Sequence, residues 1–415
     1  MKFEEYKIAE GIKTSISKLG FKKPTDIQFK SIPPILRGED VLAIAQTGTG
    51  KTAAYAIPVL HVLQERKIKG RPDGIKCLVM VPTHELALQT DNVFRVLGKH
   101  TRINSFAIHG GVEQDPQKEQ LDKGVDVLIA TPGRMFDLVS QGALLLKRVE
   151  ILVLDEADHM LDLGFIKDIR DLMHHLPRKR QTLFFSATIN HKIKKIAYSL
   201  VTDAIRIQIS PRDPVAKNIE HAVAFIEMDD KRFFLESVVK NNPDQKILVF
   251  VRTKIRAERV KKALERVDIE AESIHGDKAQ DQRELTMQQF RNGELKVLIA
   301  TDVSARGIDI PDVEYVVNYD LPESPEHYVH RVGRTGRGRQ KGQAISFCSK
   351  EEKELLATIE EQLGKPIYRT EISKGFYRDT IESSMENENT DWQSLLDQEE
   401  VFQKNRKKKN KKSKG

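Results

Sequence analysis

The sequence lacks the features of a secreted or membrane-spanning protein. Only two cysteines occur in its 415 residues, Cys77 and Cys348, and their wide separation argues against a disulfide framework. No apolar run approaches the roughly 20 residues that are needed to span a bilayer. No apolar core follows the charges of residues 1–5, as it would in a signal peptide. We therefore expect a protein of the reducing cytoplasm with no membrane partner.

A large excess of one charge is also missing from most of the chain. The net charge is +7, yet residues 401–415 hold eight Lys or Arg and no acid, which leaves −1 for the rest. The body could therefore hold a polyanion only through local patches and backbone amides, and not through a global field. Periodicity fades after about residue 369, and we expect 369–415 to be a largely disordered tail, Lys-rich at its end.

The chain does contain a strand that ends in carboxylates. Residues 151–154 are four consecutive apolar residues, which is typical of a strand buried on both faces of a parallel sheet. Asp155 and Glu156 follow at its carboxyl end, where open α/β sheets bind their ligands. Two carboxylates there suit a hard cation and a water that must lose a proton. Taken alone, they fit a solvated acidic turn equally well.

A second motif decides between these two interpretations. It lies between a predicted strand at 40–45 and a helical stretch, and its pattern is that of a phosphate-binding loop. Its residues are Ala45, Gln46, Thr47, Gly48, Thr49, Gly50, Lys51 and Thr52. Glycines let backbone N–H groups approach phosphates, Lys51 would bridge the β- and γ-phosphates, and Thr52 would hold Mg²⁺. Ala45 replaces the usual first glycine, which is tolerable if its φ stays negative.

Strands and helices alternate along the chain, which predicts an α/β fold with a doubly wound parallel sheet. Further strands are predicted at 77–81, 105–109, 127–131, 150–154 and 181–185. Three segments recur in the same order, because 78–83 matches 248–253, 108–110 matches 274–276, and 127–131 matches 297–301. We therefore predict two domains of one architecture, at 1–209 and 218–368, joined by a short linker at 210–217. The second copy has no Gly-Lys-Thr, so we expect one nucleotide per chain.

The order of the motifs over residues 3 to about 339 resembles that of DEAD-box ATP-dependent RNA helicases of superfamily 2. The motifs are Gly20-Phe21 with Gln28, the loop at 45–52, 82–87 (PTHELA), 110–111 (GG), 131–134 (TPGR), 155–158 (DEAD), 186–188 (SAT), 280–283 (QDQR), 300–309 and 330–337 (HRVGRTGR). The short linkers and the basic tail are most similar to the bacterial RhlE-like branch. The resemblance implies two tandem RecA-like domains.

The resemblance also implies an ATP and Mg²⁺ site in the first domain. Phe21 would pack on the base, and Gln28 would pair with the N6 and N7 edge of adenine. A Gln at a helix start also fits a capping residue. Asp155 would hold Mg²⁺, mainly through water, and Glu156 would orient and deprotonate the attacking water.

The second domain would complete this site. Asp309 would take the ribose hydroxyls, with Gly307 beside it. Arg334 and Arg337 would supply charge to phosphoryl transfer, to which an arginine finger contributes about 10³–10⁵ in rate. Hydrolysis should therefore wait for the two domains to close. The residues assigned to coupling are Asp158, Ser186, Thr188 and His330, although Ser186 and Thr188 also fit ordinary strand-end hydroxyls.

The RNA contacts that the resemblance implies follow the strand ends of both domains. In the first domain they are Pro82, Thr83, Gly110, Gly111, Thr131, Gly133 and Arg134. In the second domain they are Arg252, Gly276, Asp277, Gln280, Arg283, Thr301, Asp302 and Arg306. Glycine amides, hydroxyls and arginines suit phosphate and 2′-OH contacts with little sequence selection, and the duplicated positions fit one strand across both domains. His84 stands where the family has an arginine, which puts one RNA contact or one contact between motifs in doubt.

We therefore expect an RNA-stimulated ATPase that clamps single-stranded RNA and separates short duplexes locally. The alternative is an ATP-gated RNA clamp or ribonucleoprotein assembly factor with little unwinding. A DNA helicase is disfavoured because the motif set suits the 2′-OH. The expected partner is RNA with little sequence specificity, with ribosomal precursors or the RNA-decay machinery as candidate assemblies, and we expect a monomer. The sequence does not identify the target RNA.

Overall fold

The computed structural model describes residues 2–46, 48–67, 74–189, 191–209, 215, 218–302, 313–336, 341–382 and 384. These residues form two compact units, the first up to residue 209 and the second from residue 215 onward. Of the predicted linker at 210–217, the structure describes only Val215, and most of the predicted tail also lies outside the described residues. Within the described part of the chain, no helix is long and apolar enough to cross a membrane.

The first unit is a sheet of seven parallel strands with helices packed against it. The strands are β1 (Val41–Ala45), β2 (Cys77–Met80), β3 (Ser105–Ile108), β4 (Val127–Ala130), β5 (Ile151–Leu154), β6 (Gln181–Ser186) and β7 (Ile205–Ile209). The helices are a 3-10 helix (Phe3–Glu5), α1 (Glu10–Lys18), α2 (Asp26–Leu36), α3 (Lys51–Arg66), α4 (His84–Gly98), α5 (Asp115–Asp122), α6 (Pro132–Ser140), α7 (Ala157–Asp162), α8 (Ile166–His175) and α9 (His191–Leu200).

The second unit is also built on seven parallel strands. They are β8 (Ile219–Phe225), β9 (Ile247–Val251), β10 (Ala271–Ile274), β11 (Val297–Thr301), β12 (Tyr315–Asn318), β13 (Gly342–Cys348) and β14 (Tyr368–Thr370). The helices are α10 (Lys231–Asn241), α11 (Lys254–Glu265), α12 (Gln280–Asn292), α13 (Pro325–Val332), a 3-10 helix (Lys350–Glu352) and α14 (Lys353–Leu363).

The packing of β5 explains why the central strands are continuously apolar. Ile151 and Val153 lie in a core on one face of the sheet, together with residues of α1 to α4. Leu152 and Leu154 lie in a second core on the other face, together with residues of α6 to α9. Because successive side chains of a strand point to opposite faces and both faces are covered, every position of β5 must be apolar.

The two sheets have the same strand order. The first is β3-β4-β2-β5-β6-β1-β7 and the second is β10-β11-β9-β12-β13-β8-β14, so each strand of the second has its counterpart seven strands earlier. Thr83 and Thr253 cap α4 and α11 in the same way. Their hydroxyls accept hydrogen bonds from the backbone N–H of Leu86 at 3.3 Å and of Arg256 at 3.2 Å. The predicted pair of doubly wound sheets with one architecture is confirmed.

At the beginning of the chain, the first α-helix starts at Glu10, because the backbone is extended at Tyr6 and again at Ala9, where ψ is 137°. The last strand of the first sheet differs from the sequence prediction. The strand β7 is absent from the prediction. Among the described strands it pairs only with β1, at the edge of the sheet. Because one of its faces is partly exposed, as at Ile205, its sequence alternates and has no continuous apolar run.

The first residues of the predicted tail have regular structure. The edge strand β14 ends at Thr370, and residues 374–382 are helical. Tyr377 anchors this helix, because its ring lies 4.9 Å from that of Phe234 and its hydroxyl donates to Asp230 Oδ2 at 2.7 Å. One aromatic anchor in a polar segment is too weak a pattern to predict a helix from the sequence.

Candidate functional site

The strand order of the first unit brings the predicted nucleotide residues to one edge of the sheet. The strands β5, β6 and β1 are parallel neighbours, so their carboxyl ends lie side by side. The phosphate loop follows β1, Asp155 follows β5, and Ser186 ends β6. Segments that are far apart in the sequence therefore share one site.

The phosphate loop has the backbone that close approach to an anion requires. Gly48 has a φ of 80° and Gly50 a φ of 89°, and both values favour glycine. A Cβ on Gly50 would also lie 2.5 Å from Gln28 Nε2. The helix α3 begins at Lys51, so its first backbone N–H groups adjoin the loop. Such a helix start is a site for phosphate.

The other loop residues stabilise the turn. The hydroxyl of Thr49 donates to the carbonyl oxygen of Gln46 at 2.7 Å. Ala45 ends β1 and is not among the described residues with positive φ, so the departure from the usual glycine causes no strain. Thr47 lies outside the described residues.

A cation and a carboxylate are buried beside this loop. Lys51 is 6% exposed, and its Nζ has no hydrogen-bond partner among the described residues. Burial raises the pKa of Asp155 to about 6, while the charge of Lys51 opposes this rise and that of Glu156 adds to it. The buried ammonium of Lys51 would gain a partner in a phosphate group. The carboxylate of Asp155, whose charged form is disfavoured by burial, would be stabilised by a bound cation. The residues present therefore fit a nucleotide phosphate with Mg²⁺ held by Asp155 and Thr52.

Tyr55 belongs to this site, although the sequence motifs do not identify it. The residue is fully buried, and its hydroxyl donates a hydrogen bond to Asp155 Oδ2 at 2.8 Å. Burial raises the pKa of Tyr55 well above its usual range, and the charge of Asp155 raises it further, so the phenol remains a donor. In the sequence Tyr55 is one of many core residues of α3. Only the tertiary structure, which brings α3 next to the end of β5, reveals the contact.

The second carboxylate, Glu156, has a strained backbone. Its φ and ψ are both 48°, which is left-handed, and this costs a non-glycine residue on the order of 1–3 kcal/mol. His159 is buried one turn later, with Nδ1 3.5 Å from Glu156 Oε2. Neither ring nitrogen of His159 has a hydrogen-bond partner in the part of the chain that the structure describes. Sequence reasoning missed His159, because a lone histidine in a short helix carries no pattern.

The structure brings together the predicted coupling residues of the first unit. Asp158 Oδ2 accepts hydrogen bonds from the N–H of Ala187 at 3.1 Å and from the N–H and hydroxyl of Thr188 at 3.0 and 3.1 Å. The hydroxyl of Ser186 donates to the carbonyl oxygen of Thr188 at 2.8 Å. The start of α7 is thus bonded to the turn after β6.

Both ends of the Gln28 side-chain amide are engaged. Oε1 accepts the backbone N–H of Thr25 at 3.0 Å, which completes a capping box at the start of α2. Nε2 donates to the carbonyl oxygen of Gly50 at 3.2 Å. Gln28 therefore caps α2, which is the alternative role that the sequence allows. It also contacts the phosphate loop. Recognition of adenine by Gln28 stays a prediction, as does packing of the base on Phe21, which is 50% exposed.

Two substitutions of Gln28 test whether it recognises adenine or only caps α2 and supports Gly50. Gln28→Glu keeps an oxygen for the N–H of Thr25 but loses the amide donor, whereas Gln28→Ala loses both. We expect both variants to lose about 1–3 kcal/mol of preference for ATP over GTP, because a bidentate pair gives that discrimination. The measurement is the ratio of the two nucleotide affinities. If both affinities fall while the ratio stays constant, the amide only supports Gly50 and does not read the base.

The predicted RNA contacts of the first unit lie at the carboxyl ends of β2, β3 and β4, which are neighbours in the sheet. Arg134 connects two of these strand ends, because its Nη2 donates to the carbonyl oxygen of Val112 at 2.6 Å. The remaining positions are Pro82 and Thr83 after β2, Gly110 and Gly111 after β3, and Thr131 and Gly133 after β4. His84 lies on the same edge, since a Cβ on Gly110 would be 3.4 Å from His84 Nε2.

The second unit has candidate residues at the corresponding strand ends. Arg252 follows β9, where its Nη2 lies 3.2 Å from Glu352 Oε1. Asp277 follows β10 and forms a 2.6 Å ion pair with Lys254. The other described positions are Gly276 after β10, Thr301 at the end of β11, and Gln280 and Arg283 in α12, where Arg283 Nη1 donates to Gln280 Oε1 at 3.2 Å.

Arg331 holds one of these candidates in place. It is 1% exposed, and it donates from Nε to Asp302 Oδ1 at 2.6 Å and from Nη2 to Asp302 Oδ2 at 2.8 Å. This bidentate pair joins α13 to the end of β11. An RNA contact by Asp302 stays a prediction. Two further predicted residues lie near Arg331 in the sequence: His330 is partly buried and Arg334 is buried. The remaining predicted residues of the second unit lie outside the described part of the chain, namely Arg306, Gly307, Asp309 and Arg337.

In the first unit, a phosphate loop follows β1 and an acidic pair follows β5 of the same doubly wound sheet. This arrangement is typical of the phosphate-loop nucleotide-binding proteins. Comparison with known proteins narrows this class. The family model for the DEAD/DEAH box helicase matches residues 25–196, and that for the helicase conserved C-terminal domain matches residues 230–339. The chain therefore belongs to the DEAD-box helicase family.

Individual relatives agree with this assignment. The chain is 40% identical over 366 residues to the ATP-dependent RNA helicase RhlB of Shewanella woodyi, covering 87% of this chain and 83% of that one. It is 39% identical over 364 residues to the ATP-dependent RNA helicase CshA of Listeria monocytogenes, covering 88% and 69%. The structure of S. cerevisiae Dbp5 bound to RNA and ADP BeF3 matches with a TM-score of 0.81 at 30% identity, covering 93% and 99%. The assignment to an RhlE-like branch stays a prediction.

Proposed function

We propose that this protein is an RNA-dependent ATPase that couples ATP binding and hydrolysis to clamping single-stranded RNA and to local unwinding of short duplexes. The observation that carries the proposal is Lys51, a buried ammonium without a hydrogen-bond partner among the described residues, beside Asp155. RhlB and CshA are named ATP-dependent RNA helicases, and the Dbp5 structure contains RNA and ADP BeF3, which supports both halves of the proposal.

The predicted nucleotide-binding and catalytic residues would divide the chemistry between them. Lys51 and the loop amides bind the β- and γ-phosphates. Thr52 and Asp155 hold Mg²⁺, which when bound neutralises charge on the phosphates. Glu156 orients the attacking water and accepts its proton on the carboxylate. Arg334 and Arg337 add the positive charge that a transferring phosphoryl group requires.

The coupling residues and strand ends would connect ATP to RNA. Asp158, with its bonds to the turn after β6, transmits changes at Glu156 to Ser186 and Thr188, and His330 contributes from the second unit. The glycines, hydroxyls and arginines at the strand ends hold the phosphates and 2′-OH groups of RNA. We further propose a monomer of the reducing cytoplasm that acts on ribosomal precursors or with the RNA-decay machinery. Both cysteines are buried free thiols, which suits such a compartment.

Two assays on the full chain test this function. ATP hydrolysis is measured alone, with single-stranded RNA, and with DNA of the same sequence, and we expect RNA to stimulate far more than DNA. Strand displacement from a short RNA duplex is then measured with excess ATP. Stimulation without displacement would point to an ATP-gated clamp, and no stimulation by RNA would contradict the proposal.

The C-terminal lysines provide a separate prediction about RNA affinity. Residues 405–415 carry seven of the eight cations of the tail, while the rest of the chain is close to neutral. Removing them should raise the RNA concentration for half-maximal ATPase and flatten its salt dependence, because each neutralised phosphate contributes a slope of about −0.7 on single strands. The maximal rate should hardly change. The control is a chain of full length in which these cations are replaced by Gln. RNA titrations of the full-length and truncated proteins that superimpose at every salt concentration would contradict the prediction.

A further inference from the structure

Tyr55 is a buried polar group that the proposed chemistry does not yet use. Its ring packs against Phe185 and Phe94, with centroid distances of 5.2 and 6.1 Å. Its hydroxyl, however, is directed at Asp155 and donates to Oδ2 at 2.8 Å. A phenylalanine would fill the same apolar space, so packing alone does not require the oxygen atom.

The helix that carries Tyr55 also carries the second residue proposed to hold Mg²⁺. Thr52 lies three positions before Tyr55 on α3, on the same side of the helix. The bond from Tyr55 to Asp155 therefore joins the helix that carries Thr52 to the end of β5, although the two bonded residues are 100 positions apart.

The hydrogen bonds of Asp155 leave room for a further ligand. Oδ2 accepts from Tyr55, and Oδ1 accepts from the backbone N–H of Glu156 at 2.9 Å. Each carboxylate oxygen has two lone-pair directions, so one remains on each for a metal-bound water. The two donors determine which directions remain.

We propose that Tyr55 is a positioning residue that orients Asp155 for Mg²⁺ and thereby sets the affinity of the nucleotide site for this ion. The inference rests on the proposed function and assigns it one further residue. Groups that hydrogen-bond to metal ligands fix their orientation, and their loss costs about 10–100-fold in metal affinity or activity.

The test is a Mg²⁺ titration of nucleotide binding in the full chain. A fluorescent, non-hydrolysable ATP analogue reports binding to wild type and to Tyr55→Phe. We expect Tyr55→Phe to require about 10–100-fold more Mg²⁺ for half-maximal binding. Affinity for the analogue without Mg²⁺ should be unchanged, because the phosphate loop is intact. Equal Mg²⁺ requirements for the two proteins would overturn the proposal.

Tyr377→Phe is the matched control, because it also removes a tyrosine hydrogen bond to an aspartate, at 2.7 Å, but in the second unit. It should titrate like wild type. A purely structural role for Tyr55 would lower the unfolding temperature and leave the Mg²⁺ titration unchanged, which also contradicts the proposal. Should Tyr55→Phe fail to fold, 3-fluorotyrosine at position 55 replaces it. This side chain keeps the packing but is a stronger acid, so we expect a shifted Mg²⁺ requirement, and no shift would overturn the inference.

Failure of the proposed function gives a different result. A protein that binds the analogue with Mg²⁺ but is not stimulated by RNA is not an RNA-dependent ATPase. The Mg²⁺ titrations of Tyr55→Phe and Tyr377→Phe still decide the role of Tyr55 in such a protein, because they measure binding and not turnover.

Discussion

Glu156→Gln is expected to lower the rate of ATP hydrolysis by about 10²–10⁴-fold, the usual contribution of a positioned general base. The amide keeps the size of the side chain but cannot accept a proton from water. Binding of ATP and Mg²⁺ should persist, because Lys51, Thr52 and Asp155 are untouched. The variant should therefore remain on RNA much longer than wild type when ATP is present. Single-turnover hydrolysis and dissociation of labelled RNA measure the two effects.

The control for this variant is Glu150→Gln. Glu150 precedes β5 at its amino end, where it forms surface ion pairs with Lys76 at 3.1 Å and Arg66 at 2.9 Å. Removing its charge should leave hydrolysis unchanged, because it lies at the other end of the strand. If Glu156→Gln hydrolysed ATP at the rate of this control, the role assigned to Glu156 would be wrong.

Lys231→Met is expected to destabilise the second unit by about 3–5 kcal/mol, which is typical when one partner of a buried ion pair is removed. Lys231 is 0% exposed. Its Nζ donates to Glu352 Oε2 at 2.5 Å and to the carbonyl oxygen of Tyr319 at 2.8 Å, and it lies 3.9 Å from Asp320 Oδ1. Methionine would fill the space but leave two nearly inaccessible carboxylates without this cation. Chemical denaturation measures the loss.

Lys350→Met is the matched control in the second unit. Its partner is Glu227, at 2.7 Å, and the side chains are 73% and 48% exposed, so water replaces the lost contact. A surface pair of this kind contributes little to stability. Equal losses in the free energy of unfolding for the two variants would show that burial does not increase the contribution of the Lys231 ion pair to stability.

The regular part of the fold could be predicted from local patterns. The strand β5 is continuously apolar because it is buried on both faces, and β1, β2 and β4 share this property. The strand β7 escaped prediction because an edge strand alternates and is partly exposed. The helix at 374–382 escaped it because a few contacts distant in sequence, such as Tyr377 with Phe234, hold it in place. Local sequence contains no trace of such contacts.

In the candidate site, too, some features follow from local sequence and others only from the tertiary structure. Lys51, Thr52, Asp155 and Glu156 are recognisable because each motif is contiguous and its chemistry depends on residue type and local spacing. Gln28 shows the limit of that reasoning. Its helix-capping contact is local and follows from the pattern, whereas its hydrogen bond to Gly50 joins segments 22 positions apart.

By itself, the sequence determined that this protein has two copies of a parallel α/β architecture, one phosphate loop and an acidic pair after a buried strand. These properties follow from periodicity, repetition and motif spacing, which are all read along the chain. Only the tertiary structure decided that Tyr55 bonds Asp155, that His159 lies beside Glu156, and that Arg331 holds Asp302. The bonds of Tyr55 and Arg331 depend on which strands and helices become neighbours, and the position of His159 depends on the backbone turn at Glu156. A hydrogen bond between distant residues leaves no mark in the sequence around either partner.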